Sequence, residues 1–162
     1  MAARLALALA ALALGGPVAA PAPVVDRVEV RKAARTLTLW SGGAAVRTYP
    51  GVQLGDAPTG PKHFQGDERT PEGRYIIDRG NPESAYHLSL HVSYPGPRDI
   101  AFARSRNRSP GGDIFIHGQP NALKGGERMA GDWTDGCVAL ANAEMDEVWT
   151  LVGDGTPIDI LP

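Results

Sequence analysis

The sequence predicts a mainly β domain with one or two short helices, and three observations carry that reading. Twenty Gly and fourteen Pro in 162 residues interrupt the chain too often for a helix bundle. Between these breaks, short runs alternate apolar and polar residues with the period of two that marks a half-buried strand. Only two stretches, near 97–106 and 142–152, carry helical signals. A hydrophobic share of 43% and a charged share of 21% are globular values, so a chain of this length can close one core without staples.

The first twenty residues stand apart. Arg4 gives a positive start, Leu5 to Leu14 is an unbroken Ala/Leu run, Gly15-Gly16-Pro17 breaks it, and Val18-Ala19-Ala20 offers a small-residue cleavage site. The run is shorter than the roughly twenty apolar residues a membrane span needs. Its pattern is that of an export signal. Residues 1–20 are therefore expected to be a signal peptide cut between 19 and 22, with 21–25 a linker and 26–162 a single domain that lives outside the cytoplasm. The formal charge is −2, or −3 once Arg4 is removed, which argues against a nucleic-acid partner.

The elements follow in order. Val28 and Val30 alternate with Arg27 and Glu29 in a first strand. Arg35 to Trp40 repeats the alternation with Leu37 and Leu39, Ser41-Gly42-Gly43 turns, and Ala44 to Tyr49 returns as a hairpin. Residues 55–73 are too rich in Gly and Pro for regular structure and are expected to form a loop seated on the sheet, with His63 idle in it. Gly73 to Asp78 is a further strand. Tyr86 to Tyr94 alternates strictly, Leu88, Leu90 and Val92 on one face, His87, Ser89, His91 and Ser93 on the other. That second face meets solvent or a polar cleft, and His91 is its candidate cleft residue.

Pro97 to Arg106 suits a short helix, with Pro97 in the first turn and Asp99 at the positive end of the dipole. Arg104, Arg106 and Arg108 at its exit read first as a solvated charge run, although such a cluster also suits a carboxylate-bearing ligand. Asn142 is the expected N-cap of the second helix. There Met145, Val148, Trp149 and Val152 form one apolar stripe. Gly153-Asp154-Gly155 stops that helix and Thr156 to Leu161 closes the fold as a strand.

The chemistry lies between Asp113 and Leu140. Asp-Ile-Phe-Ile-His117-Gly ends an apolar run on a histidine, and Trp-Thr-Asp-Gly-Cys137-Val-Ala-Leu opens the next one with the single cysteine. A lone Cys is usually a small buried hydrophobe, and a lone His a satisfied core residue. Export changes the balance, because an unpaired thiol is a liability in an oxidising compartment and needs a reason to persist. Nucleophilic chemistry supplies one: Cys137 attacks a carbonyl, and His117 takes its proton and returns one to the leaving amine. A backbone carbonyl after His117 would fix its tautomer. The amides of Gly136 and Cys137, with Asp135, are the expected oxyanion hole. Zinc would accept Cys137, His117, His91 and Asp135, but no close Cys/His pair spacing is present, so a metal is not expected.

The span from His117 through sixteen intervening residues to Thr134-Asp135-Gly136-Cys137-Val138 resembles the signature of the L,D-transpeptidases of the YkuD, or ErfK/YbiS/YcfS/YnhG, group. In that signature a His is followed by Ser or Thr, His, Gly, Cys and an apolar residue. The resemblance extends from Val28 to Pro162. The blocks Gly66–Gly73, Tyr86–Pro95 and Asn142–Trp149 are similar to the YafK-like branch. Two positions depart: Asp135 stands where the signature has His, and Ala139 where Arg or Asn is common.

The resemblance implies a sandwich-like catalytic domain of mixed sheets, acting on peptidoglycan in the periplasm or cell envelope. It implies that Cys137, needing no metal or organic cofactor, attacks the L-centre carbonyl of meso-diaminopimelate in a stem peptide. The thioester then passes to an amine on another stem or a lipoprotein. The alternatives are a hydrolase cutting such links and a non-catalytic peptidoglycan-binding module. Candidate substrate contacts are His91, Thr134, Gly118, Arg128 and Arg104. Arg128 or the arginines at 104–108 are the candidates to offset the charge of Asp135 beside the thiol.

Overall fold

Val28 and Val30 are fully buried, and their strand, β1 (Arg27–Arg31), lies in the middle of the sheet. The computed structural model describes residues 23–162, so the proposed signal segment 1–20 lies outside the described residues. β1 pairs antiparallel with β2 (Thr36–Ser41), and β2 with β3 (Ala44–Pro50). Gly42 and Gly43 between β2 and β3 both adopt positive φ, at 57° and 81°, which a two-residue hairpin turn requires. On its other side β1 runs parallel to the closing strand, β8 (Thr156–Leu161). The order continues through β4 (Gly73–Asn81), β5 (Ser89–Val92), β6 (Ile114–His117) and the two-residue β7 (Val138–Ala139).

The eight strands make one sheet of order β3-β2-β1-β8-β4-β5-β6-β7, and it curls until its ends meet. Gln53, just past β3, pairs with Ala139 of β7 through reciprocal backbone bonds of 2.9 and 2.8 Å. Register shifts at Leu39/Trp40 and Ile77/Arg79 mark bulges, which add local twist and bend. A single apolar cluster draws on all eight strands and on α2 (Asn142–Leu151). The sandwich-like, mixed-strand arrangement is thus realised within one curled sheet rather than two separate ones. The other helix, α1 (Pro97–Arg104), starts at Gly96, whose N–H donates to Asp99 Oδ2 at 2.8 Å.

Two local expectations need correction. The strand drawn over Tyr86–Tyr94 shrinks to β5, all four of whose residues are buried. His87 has φ 66° and lies in a turn, where its ring meets Asp146 at 2.6 Å. The alternation was present in the letters, but all four residues of β5 are buried, and on its polar face Ser89 borders the cleft described below while His91 does not. The second correction concerns α2, whose N-cap is Ala141 rather than Asn142. Glu144 reaches back to accept from the Ala141 N–H at 2.9 Å, while the Asn142 side chain turns away to serve another loop.

Candidate active site

β6 and β7 run side by side in parallel, with Ile116 opposite Val138 and His117 opposite Ala139. That pairing places Cys137, one residue before β7, level with Phe115. The N–H of Phe115 donates to Cys137 Sγ at 3.3 Å, and the thiol faces the Asp113 carbonyl at 3.6 Å. Phe115 and His117 fall on the same face of β6, and both line a cleft of about 410 Å³ together with Cys137. Tyr86 and Trp133 complete its aromatic wall, with ring centroids 4.8 and 5.5 Å from the His117 ring.

His117 is buried, and its Nδ1 lies 2.7 Å from the Gly118 carbonyl. A carbonyl oxygen only accepts, so Nδ1 carries the proton and Nε2 keeps its lone pair. Burial lowers the His117 pKa below that of a free imidazole, against the opposing pull of the Gly118 carbonyl. The ring is therefore neutral at pH 7 and able to take a proton. Burial also pushes the Cys137 thiol up, to about 11; the Phe115 N–H lowers it and the Asp135 charge raises it further. At rest the cleft holds a thiol and a neutral imidazole, so a nucleophilic role for Cys137 would require its proton to be transferred as it attacks. No hydrogen bond joins Sγ to Nε2 among the described residues, a common state for a site without its substrate.

The loop that presents the sulfur is braced from within. Thr134 Oγ1 donates to the Cys137 carbonyl at 2.8 Å and accepts from the Gly136 N–H at 3.2 Å. Thr134 itself is buried and tied to the strand-end segment by Gly55. Gly136 has φ 129°, and a Cβ there would meet the Arg69 carbonyl at 2.5 Å. Only glycine fits, because of what lies behind the loop rather than what approaches its front. With the Gly136 N–H already used, the amides of Asp135 and Cys137 are the expected oxyanion donors that have no protein acceptor among the described residues.

The remaining candidates scatter. Gly118 supplies the carbonyl that orients His117, and its own N–H donates to the Tyr86 and Leu88 carbonyls at 3.0 and 3.2 Å. A Cβ on Gly118 would lie 2.6 Å from Asn142 Oδ1 and 2.8 Å from His87 Cβ. His91 shares the face of Ser89 and Phe115 but is buried against Asp78, 2.6 Å from its Nδ1, and does not line the cleft. Arg128 donates to the Gly51 carbonyl at 2.7 Å and borders a different depression, away from Asp135. Arg104 is exposed at the end of α1 and lines neither side of the sulfur. His63 stacks on Phe102 at 4.1 Å, outside the cleft.

Sequence reasoning passed over several wall residues, among them Tyr86, Phe115, Trp133 and Asp113. Tyr86, Phe115 and Trp133 each stand within two positions of a singled-out residue, and an aromatic beside one is the signal that would have found them. Asp113, with φ 54°, brings its carbonyl to the thiol and a charge that raises it further, and left no such trace. A second opening, of about 620 Å³, also borders Cys137, between Lys62, Glu68, Asp113 and Asp135. There Glu68 faces Asp135, and partial burial and then the Asp135 charge raise the Glu68 carboxyl above its usual value.

The profile of the L,D-transpeptidase catalytic domain named YkuD matches residues 25–160. "Putative L,D-transpeptidase YafK" of Escherichia coli K12 is 30% identical over 95 residues, which are 57% of this chain and 32% of that protein. "Putative L,D-transpeptidase YkuD" of Bacillus licheniformis is 26% identical over 147 residues, 88% of this chain and 69% of that one. Among solved structures, the helical cell shape determining protein Pgp2 of Campylobacter jejuni superposes with a TM-score of 0.65 at 24% identity, over 86% of this chain and 48% of that one, a likeness of fold. The chain thus spans about a third of the length of YafK and about half that of Pgp2.

Proposed function

The chain belongs to the L,D-transpeptidase catalytic-domain family, and from that premise we propose that it is an exported cysteine enzyme that modifies peptidoglycan in the periplasm or cell envelope. Cys137 attacks the L-centre carbonyl of meso-diaminopimelate in a tetrapeptide stem. As the S–C bond forms, His117 Nε2 takes the thiol proton. It returns that proton to the nitrogen of the terminal D-Ala as the C–N bond breaks, leaving a thioester. An amine of a second stem, or of a lipoprotein, then gives its proton to Nε2, forms the new amide and expels the sulfur, which recovers the proton. The amides of Asp135 and Cys137 hold the developing oxyanion, each such donor being typically worth ~3–4 kcal/mol of barrier.

One observation carries this reading: Cys137 and His117 line the same cleft, with Nδ1 of His117 tied to Gly118 so that Nε2 is left as the base. The same arrangement weighs against a module that only binds. The second opening at the sulfur is polar and admits water as readily as an amine, so a hydrolase of the same links is the second reading.

One assay tests both. The purified chain, incubated with disaccharide tetrapeptide and with lipoprotein-linked muropeptide, is read by mass. A cross-linked product means transfer, a cleaved one hydrolysis, and Cys137→Ala is expected to abolish either. A carbapenem is expected to leave a covalent adduct on Cys137. Folded protein that yields neither product nor adduct would sink the proposal.

A further inference from the structure

The tautomer of His117 is set through one peptide group, and that group has a second end. The Gly118 carbonyl faces His117 Nδ1 at 2.7 Å. The N–H of the same peptide unit belongs to Gln119, and it donates to Asn142 Oδ1 at 2.7 Å. An amide N–H only donates, so the atom that meets it is the carboxamide oxygen of Asn142. One planar unit is thus held at both ends, by the imidazole it orients and by the first residue of α2. Among the described residues these are the two hydrogen bonds the unit makes.

The unit needs holding because of the glycine on which it turns. Gly118 has no Cβ, so rotation of the 118–119 peptide meets little resistance from its own side chain. Turned over, the unit would present its N–H to Nδ1 in place of the carbonyl. Nδ1 would then accept, the ring proton would sit on Nε2, and the lone pair that takes the thiol proton would be gone. Glycine is nonetheless required at 118: a Cβ there would lie 2.6 Å from Asn142 Oδ1 and 2.8 Å from His87 Cβ. The residue that lets Asn142 come close is also the one that frees the peptide to turn.

Local structure keeps Asn142 available for this contact. Ala141 is the N-cap of α2, and Glu144 accepts from its N–H at 2.9 Å, so the Asn142 side chain is released from capping. Behind it Met145 and Val148 are fully buried and seat the helix in the core, so the carboxamide reaches out from a fixed base. The Gln119 side chain is anchored separately, on Gln53, Leu140 and Met129, and none of those bonds touches the 118–119 peptide. Asn142 lines neither opening beside Cys137.

We propose that Asn142 is a positioning residue for the base: by clamping the Gln119 N–H it holds the Gly118 carbonyl on Nδ1 and leaves Nε2 free to take the Cys137 proton. The inference rests on the acyl-transfer reading.

The test reads the tautomer and the rate in the same samples. The full chain is labelled with isotopic nitrogen in histidine, and NMR separates protonated from unprotonated ring nitrogens; His117→Gln identifies the signal. Acylation of Cys137 by disaccharide tetrapeptide is followed by mass. Native protein is expected to carry the His117 proton on Nδ1. Asn142→Ala should move a measurable share of it to Nε2 and lower the acylation kcat about tenfold with KM unchanged. Asn142→Asp keeps an acceptor oxygen in place and should keep the native tautomer and most of the rate. Asn142→Ser is too short to reach the Gln119 N–H and should follow Asn142→Ala; it decides the matter if the Ala variant does not fold. A native tautomer in both shortened variants overturns the proposal, as does a rate that survives a moved tautomer. Native protein whose Cys137 never acylates overturns the acyl-transfer reading, and the tautomers of the shortened variants still decide whether Asn142 holds the ring.

Discussion

Two long irregular segments wall the two openings beside Cys137, and their central anchors differ in kind. Residues 55–72 are pinned by charge. The buried ammonium of Lys32 donates to the carbonyls of Gly60 and Thr70 at 2.6 and 3.0 Å and pairs with Glu72 at 2.8 Å. Asp67 accepts from the N–H groups of His63 and Phe64 at 2.7 and 2.9 Å and from Lys62 at 2.9 Å. Residues 118–133 are pinned around Gln119 by neutral amides, with one ion pair at their far end, Asp132 to Arg35, where Asp132 also accepts from the Leu54 N–H at 2.9 Å. Gln119, fully buried, donates to Gln53 Oε1 at 3.0 Å and to the Leu140 carbonyl at 2.7 Å, and accepts from the Met129 N–H at 2.9 Å. Gln53 Oε1 also takes the Trp133 indole N–H at 3.2 Å, and Asn142 Oδ1 takes the Gln119 N–H at 2.7 Å.

The difference follows from what each segment abuts. The segment at 118–133 carries Gly118 and Trp133, which touch His117, and the amides around Gln119 anchor it there without placing a charge beside the His117 ring. Burial and the Gly118 carbonyl act on that imidazole. The charge-pinned segment borders the second opening, which its ions shape instead.

The largest expected effect comes from breaking the ionic anchor. Lys32→Met leaves Glu72 and two carbonyls without their partner, and should lower unfolding stability by about 3–5 kcal/mol in a denaturant titration. Gln119→Leu should lose less, about 2–3 kcal/mol, as it strands neutral groups only. If Gln119→Leu proved the more damaging, the contrast between the two anchors would fail. Asp67→Asn should lose about 1–2 kcal/mol at pH 7.

The Asp67 loss should also depend on pH. Burial raises the Asp67 carboxyl, but the two N–H groups and Lys62 outweigh it, so its pKa sits below the ordinary value. Its stabilisation is therefore fully present above the unfolded pKa and fades as pH falls through the folded one. The gap between native protein and Asp67→Asn should close on acidification, whereas the deficit of Gln119→Leu should stay level; parallel pH curves for both would erase the distinction.

The smallest effect falls where the two segments meet, at Glu68 and Asp135. Asp135 raises the Cys137 thiol, so Asp135→Asn should speed iodoacetamide alkylation about threefold at pH 8. With the thiol at about 11, native alkylation should still be climbing at pH 10. A plateau near pH 8 would mean that a cation offsets Asp135 after all.

Much of the fold was legible because strand and helix patterns are local. Val28 and Val30, Leu37 and Leu39, and the stripe Met145, Val148, Val152 report burial through spacing alone, and each is buried in the fold. The pattern failed at Tyr86–Leu88, where a turn continues the alternation by accident, and at Asn142, whose capping chemistry was spent on a segment 23 residues away.

The site divides along the same line. Sequence alone singled out the one thiol, its histidine and the Thr-Asp-Gly that precedes the sulfur, because residue types and local order carry that information. Tertiary structure alone decided that the Gly118 carbonyl sets the tautomer, that Gly136 answers to Arg69, that His91 turns to Asp78 and Arg128 to Gly51, and that a second, charged opening borders Cys137. Hydrogen bonds and fields act through space, and the curl of the sheet brings together groups that the chain keeps tens of residues apart.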